Sequence, residues 1–245
     1  MKNNQLEYFI FNEYYDEINN QFWLGYKKML LTLIDKRFSK NEIAYDLGCG
    51  TGEGIKFLIQ LGFKNIKGID LSEKMIKRAR QKFKNIDFVI GNMLDIKDWV
   101  PGSLVICNFD AINYLVGEDD WLKLFKTVSK LLNHNGMFIF DALTTYDHKE
   151  IWPQSTRVIE RDEFVLINHG EWNKNIALMY YTWFIKKENI FKRYSEIHRQ
   201  KSYPIHKIKR WLKDSNLNIN KIIDADSGKE HSEQTQRLLF KCTKI

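Results

Sequence analysis

The spacing of hydrophobic positions changes along the chain and divides it into regions of different expected structure. Near the start, apolar residues recur at helical spacing, which predicts two helices within residues 6–37. From residue 43 onward, short apolar runs alternate with amphipathic stretches of helical period. The predicted strands are 43–47, 66–70 and 86–90, and the predicted helices between them are 53–61 and 73–83. This alternation is typical of a parallel sheet with helices on both faces.

The alternation continues to residue 141 and is then interrupted. The predicted elements are a strand at 104–108, a helix at 122–132 ended by an Asn-Gly turn, and a fifth strand at 137–141. From 157 to 203, long aromatic and β-branched runs separated by turn residues predict antiparallel hairpins. A helix at 204–214 and strands at 219–225 and 237–242 follow. The pattern predicts an α/β fold with an antiparallel insertion after the fifth strand.

A glycine-rich segment joins the first strand to the helix that follows it. Glycine occupies every second position from 48 to 54. Glycine allows a sharp turn at the end of a strand and lets a ligand lie against bare backbone, next to the free N–H groups of the following helix. Asp70 ends the second strand roughly 20 residues later, where an acidic side chain can accept hydrogen bonds from ribose hydroxyls. The pattern therefore predicts a nucleoside site at the strand ends.

The glycine spacing does not match two common phosphate-binding motifs. A dinucleotide fingerprint, G-x-G-x-x-G, would need glycine where Glu53 or Ile55 stands. A P-loop would need Gly-Lys-Ser or Gly-Lys-Thr, which does not follow. The segment therefore favours a nucleoside ligand that carries something smaller than a pyrophosphate.

Three segments of the chain resemble the first three motifs of class I S-adenosylmethionine-dependent methyltransferases. They are Asp-Leu-Gly-Cys-Gly-Thr-Gly at 46–52, Gly-Ile-Asp-Leu-Ser at 68–72 and Gly-Asn-Met-Leu-Asp at 91–95. Two further stretches, 109–115 and 194–203, resemble a bacterial subgroup of small-molecule methyltransferases. The resemblance implies S-adenosylmethionine as the cofactor and S-adenosylhomocysteine as its product. It also implies a Rossmann-like, seven-stranded, mostly parallel sheet with helices on both faces.

The resemblance assigns cofactor-binding roles to residues at the strand ends. The expected residues are Asp46, Gly48, Cys49, Gly50, Asp70, Leu71, Met75, Asn92, Met93, Leu94, Asn108 and Phe109. The first four would hold the methionine moiety, and Asp70 would bind the ribose. Asn92 and Met93 would contact the adenine. Asn92 departs from the family pattern, which usually has Asp there, but the Asn side-chain oxygen can accept the same hydrogen bond.

The same resemblance places candidate acceptor residues beside the donor methyl group. These are Asp110, Asn113 and Tyr114. Methyl transfer from a sulfonium depends mainly on in-line positioning and exclusion of water, and it needs a base only where the acceptor carries a proton. Among six histidines, His198 in the predicted inserted sheet is the candidate base, with a structural hydrogen bond across the sheet as the alternative.

A stretch at 11–16 resembles the segment that covers the cofactor in many small-molecule methyltransferases. By analogy, Tyr15, and Tyr8 before it, would line the site, and Tyr15 is a second candidate catalytic residue. The alternative is that these tyrosines only pack against the core. The acceptor predicted from this set is a small molecule methylated at nitrogen or oxygen.

Charge leaves two other functions open. The chain carries a net charge of +7, and basic residues outnumber acidic ones between 186 and 213, with aromatic residues among them. Such a strip could bind RNA, which would make the protein an RNA methyltransferase. Alternating strand positions and one solvated helix face explain the same residues without RNA, so nucleic acid is the less favoured partner. A regulatory module that binds the cofactor without turnover is the third possibility.

The remaining composition limits the classes of site and compartment. Three distant cysteines without C-x-x-C spacing argue against disulfides and zinc, and no histidine or carboxylate pair has metal-ligand spacing, so no metal is expected. Without a long apolar run or an apolar leader, we expect a cytoplasmic protein that does not enter a membrane. We expect a single domain over 1–245. Its parts are an N-terminal helical cover at 1–38, a cofactor-binding core at 39–150 and 204–245, and a substrate-covering sheet at 151–203.

Overall fold

The computed structural model describes residues 10–34, 38–39 and 41–245. Its main sheet contains β1 (Ile43–Leu47), β2 (Asn65–Asp70), β3 (Asp87–Ile90), β4 (Gly102–Cys107), β5 (Leu132–Leu143), β10 (Leu217–Asp224) and β11 (Arg237–Lys244). A second sheet contains β6 (Thr156–Glu160), β7 (Phe164–Asn173), β8 (Ile176–Lys187) and β9 (Ile190–Gln200). The helices are α1 (Phe11–Leu33), α2 (Glu53–Gln60), α3 (Glu73–Lys82), α4 (Glu118–Leu131) and α5 (Ile205–Lys213).

The main sheet has the strand order β10-β11-β5-β4-β1-β2-β3. Strands β1 to β5 pair in parallel, and β11 pairs antiparallel with both β5 and β10. All six residues of β4 are buried, as expected for a central strand that is covered on both faces. The predicted α/β, Rossmann-like fold with seven strands is confirmed. The carboxyl ends of β1, β2 and β4 lie side by side at one edge, where ligands bind in open α/β sheets.

Helices cover both faces of this sheet, each through an apolar stripe. On one face, buried residues of α1, α2 and α3 form a core with inward residues of the sheet, and on the other face α4 and α5 do the same. Ser72 caps α3, because its side chain accepts a hydrogen bond from the Met75 N–H at 3.3 Å. The caps and stripes fix where each β-to-α loop starts, and these loops form the edge described below.

The inserted sheet is antiparallel throughout, with the order β6-β7-β8-β9, as the hairpin pattern predicts. Residues with the same parity share a face, so Asn168, Tyr181 and Glu196 lie in one row across three strands. Met179 and His198 form the adjacent pair on that face. This inner face covers the strand ends of the main sheet.

Two local predictions were wrong. Within the described residues, α1 runs as one helix from Phe11 to Leu33 where two helices were predicted. Its first turns pack against the inserted sheet and its later turns against the main sheet. The predicted turn at 133–136 lies inside β5, whose pairing with β4 shifts register between Gly102 and Leu104. Asn135 there has a φ of 61°, so the Asn-Gly signal marks a bulge. No helix in the described ranges is long and apolar enough to cross a membrane.

Candidate functional site

The glycine loop after β1 has an open backbone surface. Gly48, Gly50 and Gly52 have φ values of 71°, 51° and 94°, which favour glycine. The N–H groups of Gly48 and Cys49 donate to the carbonyl of Ile69 at 2.8 and 3.0 Å and hold the loop against β2. A Cβ on Gly50 would have no atom within 4 Å, so a ligand can approach the backbone there.

Asp70 at the end of β2 fixes the other side of this loop. Its Oδ2 accepts a hydrogen bond from the Gly50 N–H at 2.9 Å, and its Oδ1 accepts one from the Ser72 N–H at 2.8 Å. Burial raises the pKa of Asp70, and these two hydrogen bonds oppose the rise because they favour the carboxylate. The carboxyl group therefore holds the loop and faces the cleft at the same time.

Asp46, near the end of β1, is a buried carboxyl group whose Oδ2 has no hydrogen-bond partner. A Cβ at Gly54 would collide with this oxygen, so glycine is needed where α2 begins. Burial, followed by repulsion from Asp70, raises the pKa of Asp46 to about 8. An unsatisfied buried carboxyl at this place is suited to a cationic partner.

The strand ends border a cleft with two adjoining cavities of about 330 and 180 Å³. The first contains Asp46, Cys49 and the glycine loop under α1. The residues predicted for the cofactor that line the second cavity are Gly48, Gly50, Asp70, Leu71, Met75, Asn92, Met93, Asn108 and Phe109. Asn92 is exposed and its Oδ1 accepts a hydrogen bond from the Leu94 N–H at 2.9 Å. Leu94 itself lies in the core and lines neither cavity, because its side chain packs under the turn.

Helix α1 closes one side of the cleft. Tyr15, Asp16 and Trp23 are among its residues that line the first cavity. Asp16 accepts a hydrogen bond from the Thr51 hydroxyl and an ion pair from Lys82 at 2.9 Å, so the helix is attached to the glycine loop and to α3. The predicted residue Tyr8 lies outside the described residues.

A larger cavity of about 650 Å³ lies between the strand ends and the inner face of the inserted sheet. We call it the acceptor cavity. Tyr15 and Phe109 line this cavity and both cleft cavities, and Tyr114 lines it together with the second cleft cavity. Burial, followed by the carboxylates of Asp110 and Asp70, raises the pKa of Tyr15 far above its usual value, so its phenol stays protonated at neutral pH.

Phe109 and Asp110, which follow β4, both have positive φ, at 58° and 50°. Such strain is common at functional sites and persists only where the surroundings hold it. Asp110 Oδ1 pairs with Arg237 Nη2 at 2.7 Å, and the Asp110 N–H donates to Asp141 Oδ2 at 2.9 Å. Arg237 also pairs with the fully buried Asp141, so one guanidinium is shared by two carboxyl groups at the acceptor cavity.

His198 lies on the inner face of the inserted sheet, as predicted, and its side chain is buried. Its Nδ1 is 3.0 Å from the Tyr114 hydroxyl, and its Nε2 is 3.7 Å from Glu196 Oε2. Glu196 also accepts hydrogen bonds from the backbone N–H groups of Ile10 and Phe11 at the start of α1. The structure therefore brings the predicted residues His198 and Tyr114 together at the acceptor cavity.

Asn113 does not reach this cavity. Its side-chain amide donates to the carbonyls of Leu143 and Lys201, both at 3.1 Å, and its oxygen accepts from the Leu143 N–H at 2.9 Å. Asn113 is fully buried and joins the main sheet to the end of the insertion. The prediction that it contacts the acceptor is wrong, because all of these polar atoms are satisfied within the protein.

The basic strip predicted for RNA is divided between β8, β9 and α5. Two of its aromatic residues, Tyr203 and Trp211, are buried in the core and cannot stack on a base. Lys207 pairs with Glu118 at 2.6 Å, and this pair belongs to the α4–α5 face. No cluster of potential metal ligands occurs among the described residues.

Comparison with known proteins decides the family. A family model described as a methyltransferase domain matches residues 44–136. YqeM of Bacillus subtilis (strain 168), a protein provisionally named a methyltransferase, is 28% identical over 208 residues, which is 81% of this chain and 83% of that protein. The crystal structure of an S-adenosylmethionine-dependent methyltransferase from Clostridium acetobutylicum ATCC 824 has a TM-score of 0.84 at 25% identity, covering 96% of this chain and 97% of that chain. The chain is an S-adenosylmethionine-dependent methyltransferase.

This methyltransferase shares its fold with enzymes of known acceptor type. The sugar N-methyltransferase KedS8 from Streptoalloteichus sp ATCC 53650 has a TM-score of 0.75 at 14% identity, covering 94% of this chain and 92% of that chain. The predicted cofactor, S-adenosylmethionine, is confirmed by the family. The cleft fits this cofactor, since it offers a bare backbone at Gly50 and an unpaired carboxyl at Asp46.

Sequence reasoning missed several polar residues that lie buried or mostly buried near the acceptor cavity of this methyltransferase. They are Tyr26, Asp141, Asp147, His148, Gln200 and Arg237. Gln200 links His148 to the predicted residue Asp110, since its Nε2 donates to Asp110 Oδ2 at 2.5 Å and its Oε1 is 3.2 Å from His148 Nε2. Asp141 was the last residue of a predicted strand, which was the one available signal for a residue at a strand end.

Proposed function

We propose that this methyltransferase transfers the methyl group of S-adenosylmethionine to a nitrogen or oxygen atom of a small molecule. The observation that carries this proposal is the acceptor cavity, which meets the cofactor cleft at Tyr15 and Phe109. Its volume of about 650 Å³ falls within the range of roughly 300–1,000 Å³ that is usual for small-molecule sites. The inserted sheet supplies the wall opposite the strand ends, so an acceptor there faces the donor.

The cleft residues supply a site for each part of the cofactor. Asp46 and the open backbone at Gly50 would hold the charged methionine moiety, and Asp70 would accept hydrogen bonds from the ribose hydroxyls. Asn92 and Met93 would contact the adenine at the far end of the second cavity. The bound cofactor supplies an electrophilic methyl group on a sulfonium.

In this proposal, the protein accelerates transfer mainly by placing the acceptor and keeping water out. Tyr15 and Phe109 form the junction between the two sites, so they determine the line along which an acceptor atom approaches. Because the Tyr15 phenol stays protonated, it can donate a hydrogen bond but cannot act as the base. We therefore propose that Tyr15, predicted as a candidate catalytic residue, positions the acceptor and does not act as a base.

A proton that the acceptor loses has a route into the inserted sheet. The Tyr114 hydroxyl lies beside the cleft and contacts His198 Nδ1 at 3.0 Å. As Tyr114 takes the proton of the acceptor, it can pass its own proton to His198, and the nearby Glu196 carboxylate stabilises the resulting imidazolium. We therefore propose His198 as the proton acceptor and Tyr114 as the group that relays the proton.

The test is a screen of amines, amino sugars and phenols for released S-adenosylhomocysteine, followed by variants assayed on the best acceptor. His198→Gln should lower kcat by at least ~100-fold, a typical contribution of a general base, and leave cofactor binding unchanged. His169→Gln is the matched control, because His169 is an exposed histidine of the same sheet that stacks on Tyr180.

Three results would contradict the proposal. Release of no product with any acceptor class would favour the binding module. Salt-sensitive retention of RNA near physiological ionic strength, with methylation of that RNA, would favour a nucleic-acid acceptor. Equal kcat for the His198 and His169 variants would remove the proposed base but leave the acceptor class intact.

A further inference from the structure

Polar groups on one side of the acceptor cavity lack partners in a way that the transfer step does not explain. Asp147 follows β5 on a π-helical turn, Asp147–Ile151, and lines the cavity. It is only 4% exposed, and its Oδ2 has no hydrogen-bond partner. The Trp152 side chain hydrogen-bonds the same carboxyl group, so one of its oxygens is satisfied and the other is not. A buried carboxylate oxygen without a donor is costly unless a ligand supplies one.

A second acceptor atom on the opposite wall is in the same condition. Asn168 lies on the inner face of β7, in the row with Tyr181 and Glu196, and lines the cavity. Its side chain is hydrogen-bonded to Tyr181, but its Oδ1 is buried and has no hydrogen-bond partner. Asn168 Oδ1 accepts hydrogen bonds, and Asp147 Oδ2 does so whenever its carboxyl group is ionised. The cavity therefore holds two buried oxygens that can accept hydrogen bonds from a donor group of a ligand.

The charged groups that line the cavity include more carboxyl groups than guanidinium groups. Its lining includes the carboxyl groups of Asp110, Asp147 and Asp226 and the guanidinium groups of Arg157 and Arg237. Arg237 is engaged by Asp110 and by Asp141 beneath it, and so it cannot fully neutralise Asp147 as well. Arg157 is an exposed residue on an edge strand, where solvent screens its charge. A positively charged ligand group thus gains more from this wall than a neutral one.

We infer that the acceptor carries a basic amino group apart from the atom that is methylated, and that Asp147 binds this group as an ammonium with help from Asn168. This inference rests on the proposed small-molecule function and names the class of its acceptor. The amino group would lock the orientation of the acceptor, which presents its other end to Tyr15 and the cofactor cleft. Burial raises the pKa of Asp147 to about 7, against the opposing effect of Arg237, and an ammonium partner would return the group to its charged form.

The experiment uses calorimetry on the full chain saturated with S-adenosylhomocysteine. The probes are linear diamines of increasing length, each paired with the amino alcohol of the same length. One diamine should bind at least tenfold more tightly than its amino alcohol. Asp147→Asn should remove this preference by weakening diamine binding roughly 10- to 100-fold, the usual effect of a charge-assisted hydrogen bond. Glu150→Gln, on the same turn and paired with Lys149, is the matched control and should keep the preference.

The inference is overturned if the wild-type protein binds both members of every pair equally or binds no diamine, which needs no variant to establish. It is also overturned if Asp147→Asn, with unchanged thermal unfolding and cofactor binding, keeps the preference. In that case Asp147 has only a structural role. Failure of the proposed function would look different, because diamine binding could persist while the screen released no S-adenosylhomocysteine.

Discussion

Replacing Asp46 by Asn should change stability and cofactor binding in opposite directions. Asp46 is 3% exposed, its Oδ2 has no hydrogen-bond partner, and burial raises its pKa from 3.8 to about 8. Between these two values the empty folded protein binds one proton that the unfolded chain does not bind. Its free energy of unfolding therefore falls as the pH rises through this range.

The magnitude at pH 7 follows from the same two pKa values. Keeping the carboxyl group protonated in the folded state while the unfolded state ionises costs about 4 kcal/mol at that pH. Asparagine avoids this cost. Its two amide N–H donors would be buried without acceptors, however, and this subtracts ~1–3 kcal/mol from the gain in stability. The Asp46→Asn protein without cofactor should therefore be more stable by about 1–3 kcal/mol, with a midpoint of thermal unfolding several degrees higher.

Cofactor binding should weaken in the same variant. The methionine end of S-adenosylmethionine carries positive charge, and loss of the carboxylate should raise the dissociation constant roughly 10- to 100-fold. In the wild-type protein the cation should draw the pKa of Asp46 down on binding. Nearly one proton should then be released per cofactor bound at pH 7. Because binding releases this proton, the affinity for the cofactor should increase about tenfold for each unit by which the pH is raised toward 7.

Thermal unfolding at several pH values and calorimetry in two buffers of different ionisation enthalpy measure both effects. The stability advantage of Asp46→Asn should shrink and then reverse as the pH falls toward 4, because the unfolded wild-type chain increasingly takes up the same proton and the cost of the buried carboxyl disappears. The reasoning is refuted if the variant is less stable than the wild type at pH 7, or if cofactor binding releases no proton.

Three other substitutions test separate parts of the site. Lys82→Met removes the ion pairs with Asp16 and Glu53, which are partly exposed, so the free energy of unfolding should change by less than ~1 kcal/mol. Stopped-flow fluorescence should show a several-fold faster release of cofactor, and an unchanged release rate would mean that other contacts hold α1 in place. Arg237→Gln leaves two carboxylates buried without their cation and should cost ~3–5 kcal/mol in urea unfolding, and a loss below ~1 kcal/mol would contradict the neutralisation described here. Asp70→Asn should weaken cofactor binding by calorimetry roughly 10- to 100-fold, since an amide cannot accept from both backbone N–H groups, and wild-type affinity would count against the ribose role.

The fold was predictable because the local spacing of hydrophobic residues marks most of its strands. The apolar run of β4 is buried throughout, and the runs of β7 and β8 are buried at alternating positions, as their periods require. The grouping of most predicted cofactor residues along one cleft was predictable for a related reason, since strand ends in a parallel sheet converge on one edge. Leu94 was misplaced because its side chain is buried in the core, whereas Met93 beside it packs against this core and also lines the cleft.

The polar groups under the acceptor cavity could not be predicted because their partners are far apart in sequence. Arg237 is 96 residues from Asp141 and 127 from Asp110, and an arginine at the start of a strand has the pattern of a surface residue. Asp147 lies on a π-helical turn that no hydrophobic period marks. Asn113 lies near the acceptor cavity, but its side chain is directed into the protein. Only its three hydrogen bonds to backbone groups of Leu143 and Lys201 reveal this direction.

Glu196 connects the two elements that cover the active site, helix α1 and the inserted sheet. Its carboxylate on β9 accepts hydrogen bonds from the first backbone N–H groups of α1. These hydrogen bonds therefore connect the sheet over the acceptor cavity to the helix over the cofactor cleft. If α1 lifts to exchange spent cofactor, it must either break this contact or draw the sheet along with it. Under the first alternative the enzyme exchanges donor and acceptor independently, and under the second it must empty both sites in each catalytic cycle.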